Sequence, residues 1–331
     1  MLDSAAATIA RPFETGVLDW PKGPMLLLNA RPNMGVPQEL ARVSMAIQPE
    51  RGLFNALKAE GFITHAMLPD ITTTFAAALI LVARQRAEND MMIAHASRHV
   101  APNGLIIVAG AKNSGVEALA KAVGKNGADV SKLSKNHALV FWGHAPFSPI
   151  EKPEPQLATG FETATGGFSS GNVDEGSKFL IDNLPPKLWG SVADFGAGWG
   201  YLSAEIAARC TKVASLTLIE SRFEALEAAK HNLAQIALPA SFHWLDVTAE
   251  KLPGLHDWVV MNPPFHDALG NHAPELGQAF IKAAFKALKP NGQLLVVANK
   301  QLPYEKTLAV GYRNFQTLAE NGRFKVILAR K

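Results

Sequence analysis

Residues 191–210 read Ser-Val-Ala-Asp-Phe-Gly-Ala-Gly-Trp-Gly-Tyr-Leu-Ser-Ala-Glu-Ile-Ala-Ala-Arg-Cys, and this stretch decides the fold. Ser191 to Phe195 is a short apolar run suited to a buried strand, and Leu202 to Cys210 places apolar side chains at helical spacing. Between them Gly196, Gly198 and Gly200 alternate. A strand, a glycine-rich turn and a helix within so few residues open a doubly wound α/β sheet. Glycines in such a turn let backbone N–H groups approach a ligand, and the helix N-terminus adds partial positive charge.

The pattern repeats downstream. VASLTLIE (213–220), ASFHWLD (240–246), DWVVMN (257–262), GQLLVVAN (292–299) and FKVILA (324–329) read as strands. Arg222 to Ile236 and Pro274 to Leu288 read as helices between them. Such alternation implies a parallel, doubly wound sheet. Upstream, Ser148-Pro-Ile-Glu-Lys-Pro-Glu-Pro155 carries three prolines in eight residues, which disfavour helix and central strand alike. It reads as a linker, giving two domains, 1–150 and 151–331. The first looks like a worn copy of the second. His99 to Lys112 (HVAPNGLIIVAGAK) lines up with Ala287 to Lys300 (ALKPNGQLLVVANK), each a helix end, a Pro-Asn-Gly turn and a buried strand. The expected architecture is two tandem Rossmann-like α/β domains with mostly parallel sheets.

The bulk numbers agree with two packed domains. The 331 residues are long enough for two cores, and 48% hydrophobic against 18% charged residues excludes an extended disordered chain. A net charge of +3 neither requires nor excludes a polyanionic partner. The single Cys210 cannot form an internal disulfide and reads as a small apolar residue rather than a reactive thiol. The N-terminus shows no signal peptide, and the longest apolar run, Phe75 to Ala83, is too short to cross a bilayer. A cytoplasmic protein is the expectation.

The chemistry gathers at strand ends. Asp194 precedes the glycines by two residues, and the spacing G-x-G-x-G lacks the further glycine, at Tyr201, of the dinucleotide fingerprint. This form suits a ligand with an amino-acid moiety, whose ammonium Asp194 would meet; the plain alternative is a packing turn capped by Asp194. Glu220 ends the second strand, where an acid accepts both hydroxyls of a ribose, or else charges the helix start before Ser221. Asp246 ends the third strand, where it suits an adenine amino group with Val247 beside the ring, or else caps the turn before Thr248 and Glu250. Three acids behind one glycine turn make a coherent adenosine site.

Asn262-Pro263-Pro264-Phe265-His266 follows the fourth strand. Two prolines remove two N–H donors and stiffen the turn, leaving the Asn262 carboxamide oxygen and the Pro263 carbonyl as acceptors. An exocyclic amine conjugated to a ring is a poor nucleophile. Two acceptors on its hydrogens favour pyramidalisation and expose a lone pair to a methyl group. Phe265 offers a face for a planar base, worth about 1–3 kcal/mol if stacked. His266 reads as a packing or orienting residue rather than a base. Phe168-Ser169 and Asp174-Glu175-Gly176-Ser177 precede the first strand. Their glycine-rich segment is read as folding over the cofactor, with Gly176 counted among the cofactor residues and Asp174 or Ser177 as helix cap. No Cys/His cluster has metal-ligand spacing.

GGFSSGNVDEGSKFLI, VADFGAGWGYLS, VVMNPPFHD, VVANKQLPYE and GRFKVILARK, in this order over Gly166 to Lys331, resemble the bacterial small-subunit ribosomal RNA guanine-N2 methyltransferases and their large-subunit siblings. VAGAKNSGVEAL (108–119) resembles that family's degenerate domain more faintly. The resemblance implies tandem class I methyltransferase domains, S-adenosylmethionine (SAM) in the second copy only, and the N2 amine of a guanine as target. It implies Asp194, Gly196, Gly198, Glu220 and Asp246 as cofactor residues, with Gly200, Val247 and Gly176 joining them on the reading above. Asn262, Pro263 and Phe265 would serve the target base. The family's usual cysteine in the turn is Ala197 here, and Glu220 stands where Asp is frequent. Ribosomal RNA or a ribosomal subunit, the 30S particle foremost, is the expected partner of a monomeric enzyme. In the first copy the place of Asn-Pro-Pro-Phe is read after LILV (79–82) as Ala83-Arg84-Gln85-Arg86. That half is expected to be a scaffold and an RNA-docking surface through Arg84 and Arg86, unless these arginines merely solvate a helix start. The competing functions are an adenine-N6 or glutamine-amide methyltransferase, and a non-catalytic ribosome-assembly factor.

Overall fold

The computed structural model describes residues 3–147, 173–264 and 274–331. The chain divides into two compact units, Met1–Glu154 and Pro155–Lys331. The first contains α1 (Ala6–Ile9), α2 (Arg11–Glu14), β1 (Met25–Leu28), α3 (Gln38–Ala41), β2 (Met45–Ile47), α4 (Arg51–Ala59), β3 (Ile63–His65), β4 (Phe75–Leu81), α5 (Arg86–His99), β5 (Val100–Ala111), α6 (Val116–Lys125), β6 (Ser131–Lys135) and β7 (Ala138–His144). The second contains α7 (Glu175–Asp182), β8 (Trp189–Phe195), α8 (Tyr201–Arg209), β9 (Lys212–Glu220), α9 (Phe223–Asn232), β10 (Ala240–Trp244), β11 (His256–Met261), α10 (Pro274–Ala287), β12 (Leu288–Asn299), α11 (Tyr304–Gly311), β13 (Asn314–Glu320) and β14 (Phe324–Arg330).

Each unit is built on a seven-stranded sheet, in the orders β3-β2-β1-β4-β5-β7-β6 and β10-β9-β8-β11-β12-β14-β13. The first five strands of each order run parallel, and the last two extend one edge, each pairing antiparallel with the strand before it in the order. In the second sheet Val259, Leu294 and Val296 pack to one face, and Val192, Val260, Leu295 and Val297 to the other. Burial on both faces is why these strands read as unbroken apolar runs rather than alternating ones. The edge strand β13 escaped the sequence reading because Asn314 to Thr317 are exposed and no apolar alternation marks them.

The duplication is legible in the backbone. β5 and β12 are both 12 residues long, and Asn103 (φ 62°) and Asn291 (φ 64°) take the same left-handed conformation. Pro-Asn-Gly therefore lies within an irregular strand in both units instead of preceding it. The ladders also correct one correspondence. Leu105, the partner of Gln293 in the aligned segments, faces Ala77, whereas Gln293 faces Trp258. Counting four residues on from Ala77 and from Trp258 places Leu81 opposite the role of Asn262. The first-unit counterpart of Asn-Pro-Pro is thus Leu81-Val82-Ala83, two residues earlier than the sequence suggested, because hydrogen-bond register rather than loop composition aligns strands.

One glycine is dictated by space as well as backbone. Gly200 caps α8 at φ 90°, and a Cβ there would lie 2.6 Å from Leu233 Cδ1 and 3.2 Å from the Ala229 Cβ. Gly200→Val should cost about 2–4 kcal/mol, combining left-handed strain with overpacking. Urea unfolding would show it as a lower transition midpoint, and an unchanged midpoint would mean the turn relaxes freely.

Candidate active site

In the second unit the strand order reverses between β8 and β11, so a crevice opens beyond their carboxyl ends. The glycine turn lines it. Gly196, Gly198 and Gly200 have φ of 70°, 55° and 90°. The N–H groups of Gly196 and Ala197 donate to Ile219 O, at 2.9 and 3.2 Å. Gly198 N–H donates to Glu220 Oε2 at 2.8 Å, and Arg222 N–H to Glu220 Oε1 at 2.8 Å. Glu220 thus ties the turn to the end of β9 with both carboxylate oxygens. Burial pushes its carboxyl above the usual carboxylate range, against those backbone donors.

Asp194, the acid two residues before the first glycine, is fully buried. Its Oδ2 accepts from the Ser203 hydroxyl at 2.7 Å, while no described residue donates to Oδ1. Burial pushes the carboxyl up to about 7, opposed by Ser203 and aided by the charge of Glu220. A buried carboxylate oxygen without a donor is costly unless a ligand satisfies it. The ammonium of an amino-acid moiety is the cation that such a position suits, so the residues present fit SAM. The glycine cradle supports the same fit, since close backbone approach is what positive-φ glycines permit.

An open cleft lies against this turn. Gly196, Gly198, Trp199 and Tyr201 form one wall, and Asp174, Ser177 and Asn262 line it too. Asn262 follows β11 directly. Its Nδ2 donates to Asp174 Oδ1 at 2.6 Å and to Ser177 Oγ at 2.9 Å. Asp174 also caps α7, accepting from Ser177 N–H at 2.8 Å. Gly176 sits under this junction: a Cβ there would lie 3.0 Å from Asp174 Oδ1 and 3.5 Å from Asn262 Nδ2.

The structure therefore brings Gly196, Gly198 and Asn262 to one cleft, with Gly176 beneath it and Asp194, Gly200 and Glu220 holding its turn. Asp246 and Val247 do not line it. Asp246 lies two residues beyond β10, and its Oδ1 accepts from Thr248 N–H at 2.8 Å and Thr248 Oγ1 at 2.6 Å, the turn-capping geometry. Val247 packs into the core with Ile219 and Met261. Pro263 is buried behind Asn262. Phe265, His266, Phe168 and Ser169 lie outside the described residues. Trp199 and Tyr201, with ring centroids 5.5 Å apart, were missed as lining residues. Their signal was their place between and after the glycines. The reach of Asp174 and Ser177 to Asn262, across 88 and 85 residues, had no local signal at all. Among the described residues no group of acids, histidines and cysteines could hold a metal ion.

The first unit keeps the scaffold of this site with its chemistry replaced. Ladder register places Met25 where the second unit has Val192, each facing the matched residues Ala77 and Trp258. Leu27 then stands for Asp194, Asn29 (φ 51°) for Gly196, Arg31 for Gly198 and Asn33 (φ 63°) for Gly200. Gln48 stands for Glu220, accepting from Glu50 N–H at 2.9 Å as Glu220 does from Arg222, and donating to Ala30 O at 2.6 Å. Arg31 pairs with Asp3 at 2.6 Å and donates to Val82 O at 3.3 Å. The acid is apolar here, and a guanidinium fills the place that a glycine leaves open.

Comparison with known proteins agrees with this geometry. Residues 158–328 match the family described as Methyltransferase small domain. A protein of Shewanella piezotolerans named Ribosomal RNA small subunit methyltransferase C is 30% identical over 243 residues, 70% of either chain. One of the same name from Klebsiella pneumoniae is 38% identical over 165 residues, 50% of this chain and 47% of that one. Among solved structures, the T. thermophilus 16S rRNA N2 methyltransferase in complex with AdoMet and guanosine superposes with a TM-score of 0.82 at 23% identity, covering 99% of this chain and 92% of that one. At that identity the likeness speaks for the fold. With a buried acid behind a glycine turn, an asparagine at the adjoining strand end and a methyltransferase small domain over its second half, the chain belongs to the small-subunit ribosomal RNA methyltransferase C family.

Proposed function

We propose that this protein is a SAM-dependent methyltransferase that modifies the exocyclic N2 amine of a guanine in 16S ribosomal RNA. One observation carries the reading: Asn262 is pinned at the end of β11, lining the same cleft as the glycine turn behind which Asp194 holds an unsatisfied carboxylate oxygen. SAM supplies, when bound, a methyl group on a sulfonium. Asp194 would hold its ammonium, the turn around Gly196, Gly198 and Gly200 would let the backbone lie close to it, and Glu220 would take the ribose hydroxyls with the lone pairs left by Gly198 and Arg222. Asn262 Oδ1 and the Pro263 carbonyl accept the two hydrogens of the guanine amine, which leaves its lone pair free toward the methyl. The aminium proton then passes to water, so no side-chain base is required. Phe265 stacks on the guanine.

The first unit serves as scaffold and RNA-docking surface. Arg84 is exposed there, while Arg86 is paired with Asp90 at 2.6 Å. Among the described residues no helix is long and apolar enough to cross a membrane. The reading places the enzyme, as a monomer, in the cytoplasm on the 30S subunit. Incubation with labelled SAM and naked rRNA, 30S or 50S particles, followed by nucleoside analysis, tests it. The expected product is N2-methylguanosine from small-subunit RNA. Label in N6-methyladenosine, or in ribosomal protein, would replace the guanine by another amine.

A further inference from the structure

We infer that Asp174 and Ser177 are positioning residues that fix which way the Asn262 carboxamide faces, and so make its oxygen the acceptor for the target amine. The inference rests on the methyl-transfer reading above but concerns a device that reading does not contain.

An asparagine side chain has a donor end and an acceptor end of nearly the same shape, and only its partners decide which faces where. Asp174 settles the matter. An ionised carboxylate accepts and never donates, so the Asn262 atom 2.6 Å from Asp174 Oδ1 must be Nδ2. Ser177 Oγ takes the other Nδ2 hydrogen at 2.9 Å. With both N–H bonds held, Oδ1 is turned away from α7, and no described residue donates to it. A flipped carboxamide would set two oxygens, Oδ1 and Asp174 Oδ1, at hydrogen-bond distance with no proton between them. It would also offer the target amine a donor where an acceptor is needed.

The clamp is itself held. Asp174 is the N-cap of α7, its Oδ1 also receiving Ser177 N–H at 2.8 Å, so it cannot swing away without uncapping the helix. Gly176 lets the segment close on Asn262, since a Cβ there would press on Asp174 Oδ1 at 3.0 Å and on Phe324 at 3.3 Å. The sequence stretch Asp174-Glu-Gly-Ser177 thus does two jobs with one oxygen: it starts a helix and orients a carboxamide 88 residues away.

The test uses the full chain. Asp174→Ser keeps a good helix cap but is too short to reach Asn262, and Ser177→Ala removes the second acceptor. With SAM saturating, each should lower the turnover of guanine methylation, and the pair should lower it on the order of 10- to 100-fold, as misplacement of a reacting group does. In an Asn262→Ala background the same pair should cost less than twofold, because the group they orient is gone. Asp174→Asn, which can still present an oxygen, should recover most of the loss. Independently of activity, the Asn262 side-chain amide protons in 15N-labelled protein should exchange slowly in the wild type and quickly in the double variant. Equal losses with and without Asn262, or amide exchange that ignores Asp174→Ser, would overturn the clamp. Intact amide protection in a wild type that labels no guanine would instead overturn the functional reading and leave the clamp standing.

Discussion

Asn262→Ala is expected to lower turnover by roughly 10²–10³-fold, about 2.7–4 kcal/mol, the loss seen when one preorganised polar group at a reacting centre is removed. The ground-state amine of guanine is planar and makes modest demands on its acceptors. The demand rises as the nitrogen pyramidalises and its hydrogens become more acidic, so the Asn262 oxygen counts mainly in the transition state. KM for RNA and affinity for SAM should therefore change far less than kcat. Phe265→Ala should separate from this pattern, loosening the stacked base and raising KM as well. Single-turnover methylation of the preferred particle distinguishes the two. If Asn262→Ala turns over normally, the two-acceptor mechanism is wrong.

Asp194→Asn is expected to weaken SAM binding at least 100-fold while relieving the free protein. The affinity loss follows from removing one partner of a buried charge pair, which costs about 3–5 kcal/mol. The stability effect has the opposite sign. In the folded, ligand-free protein the Asp194 carboxyl titrates at about 7, raised by burial, against an ordinary value near 4 in the unfolded chain. Between pH 4 and pH 7 the folded form holds a proton that the unfolded form has lost, so stability falls as pH rises through that window. Asparagine has no such proton. The stability gap between Asp194→Asn and wild type should widen with pH by up to about 1.4 kcal/mol per unit and level off above pH 7. Glu220 is present in both proteins and largely cancels in the difference. Urea unfolding of the two proteins without SAM at several pH values measures the gap, and calorimetric titration measures the affinity. A gap that stays flat would mean that Asp194 is ionised throughout and well solvated.

Both effects describe one arrangement, in which a site is kept costly when empty so that its ligand can make it favourable. The first unit shows the other outcome. Leu27 in place of Asp194 and Gln48 in place of Glu220 remove both buried carboxylates, and Arg31 pairs with Asp3. The sheet order survives because it depends on apolar strands such as Phe75–Leu81, which do not require the ligand chemistry.

Much of this was legible from residues alone, for a physical reason. Parallel strands buried on both faces must be apolar throughout, so VVM before Asn262 and LLVVA before Asn299 announced themselves, as did the turn whose φ of 55–90° favours glycine. Asp194 and Glu220 were legible because they stand within the last two positions of their strands, where chain position and spatial position coincide. Asp246 looked equivalent in sequence, but β10 stops at Trp244 and the side chain turns back to cap Thr248. A strand end is set by the neighbour it pairs with, and periodicity cannot see the neighbour. The edge strand β13 was lost because Asn314 to Thr317 are exposed and leave no apolar alternation to read. Only the tertiary structure could bring Asp174 and Ser177 to Asn262, because the contacts join residues 88 and 85 apart in the chain and depend on where α7 packs. The doubly wound fold, the glycine turn and the asparagine at the end of β11 followed from residues alone. Which end of that carboxamide faces the cleft was decided in three dimensions, by a carboxylate that can only accept.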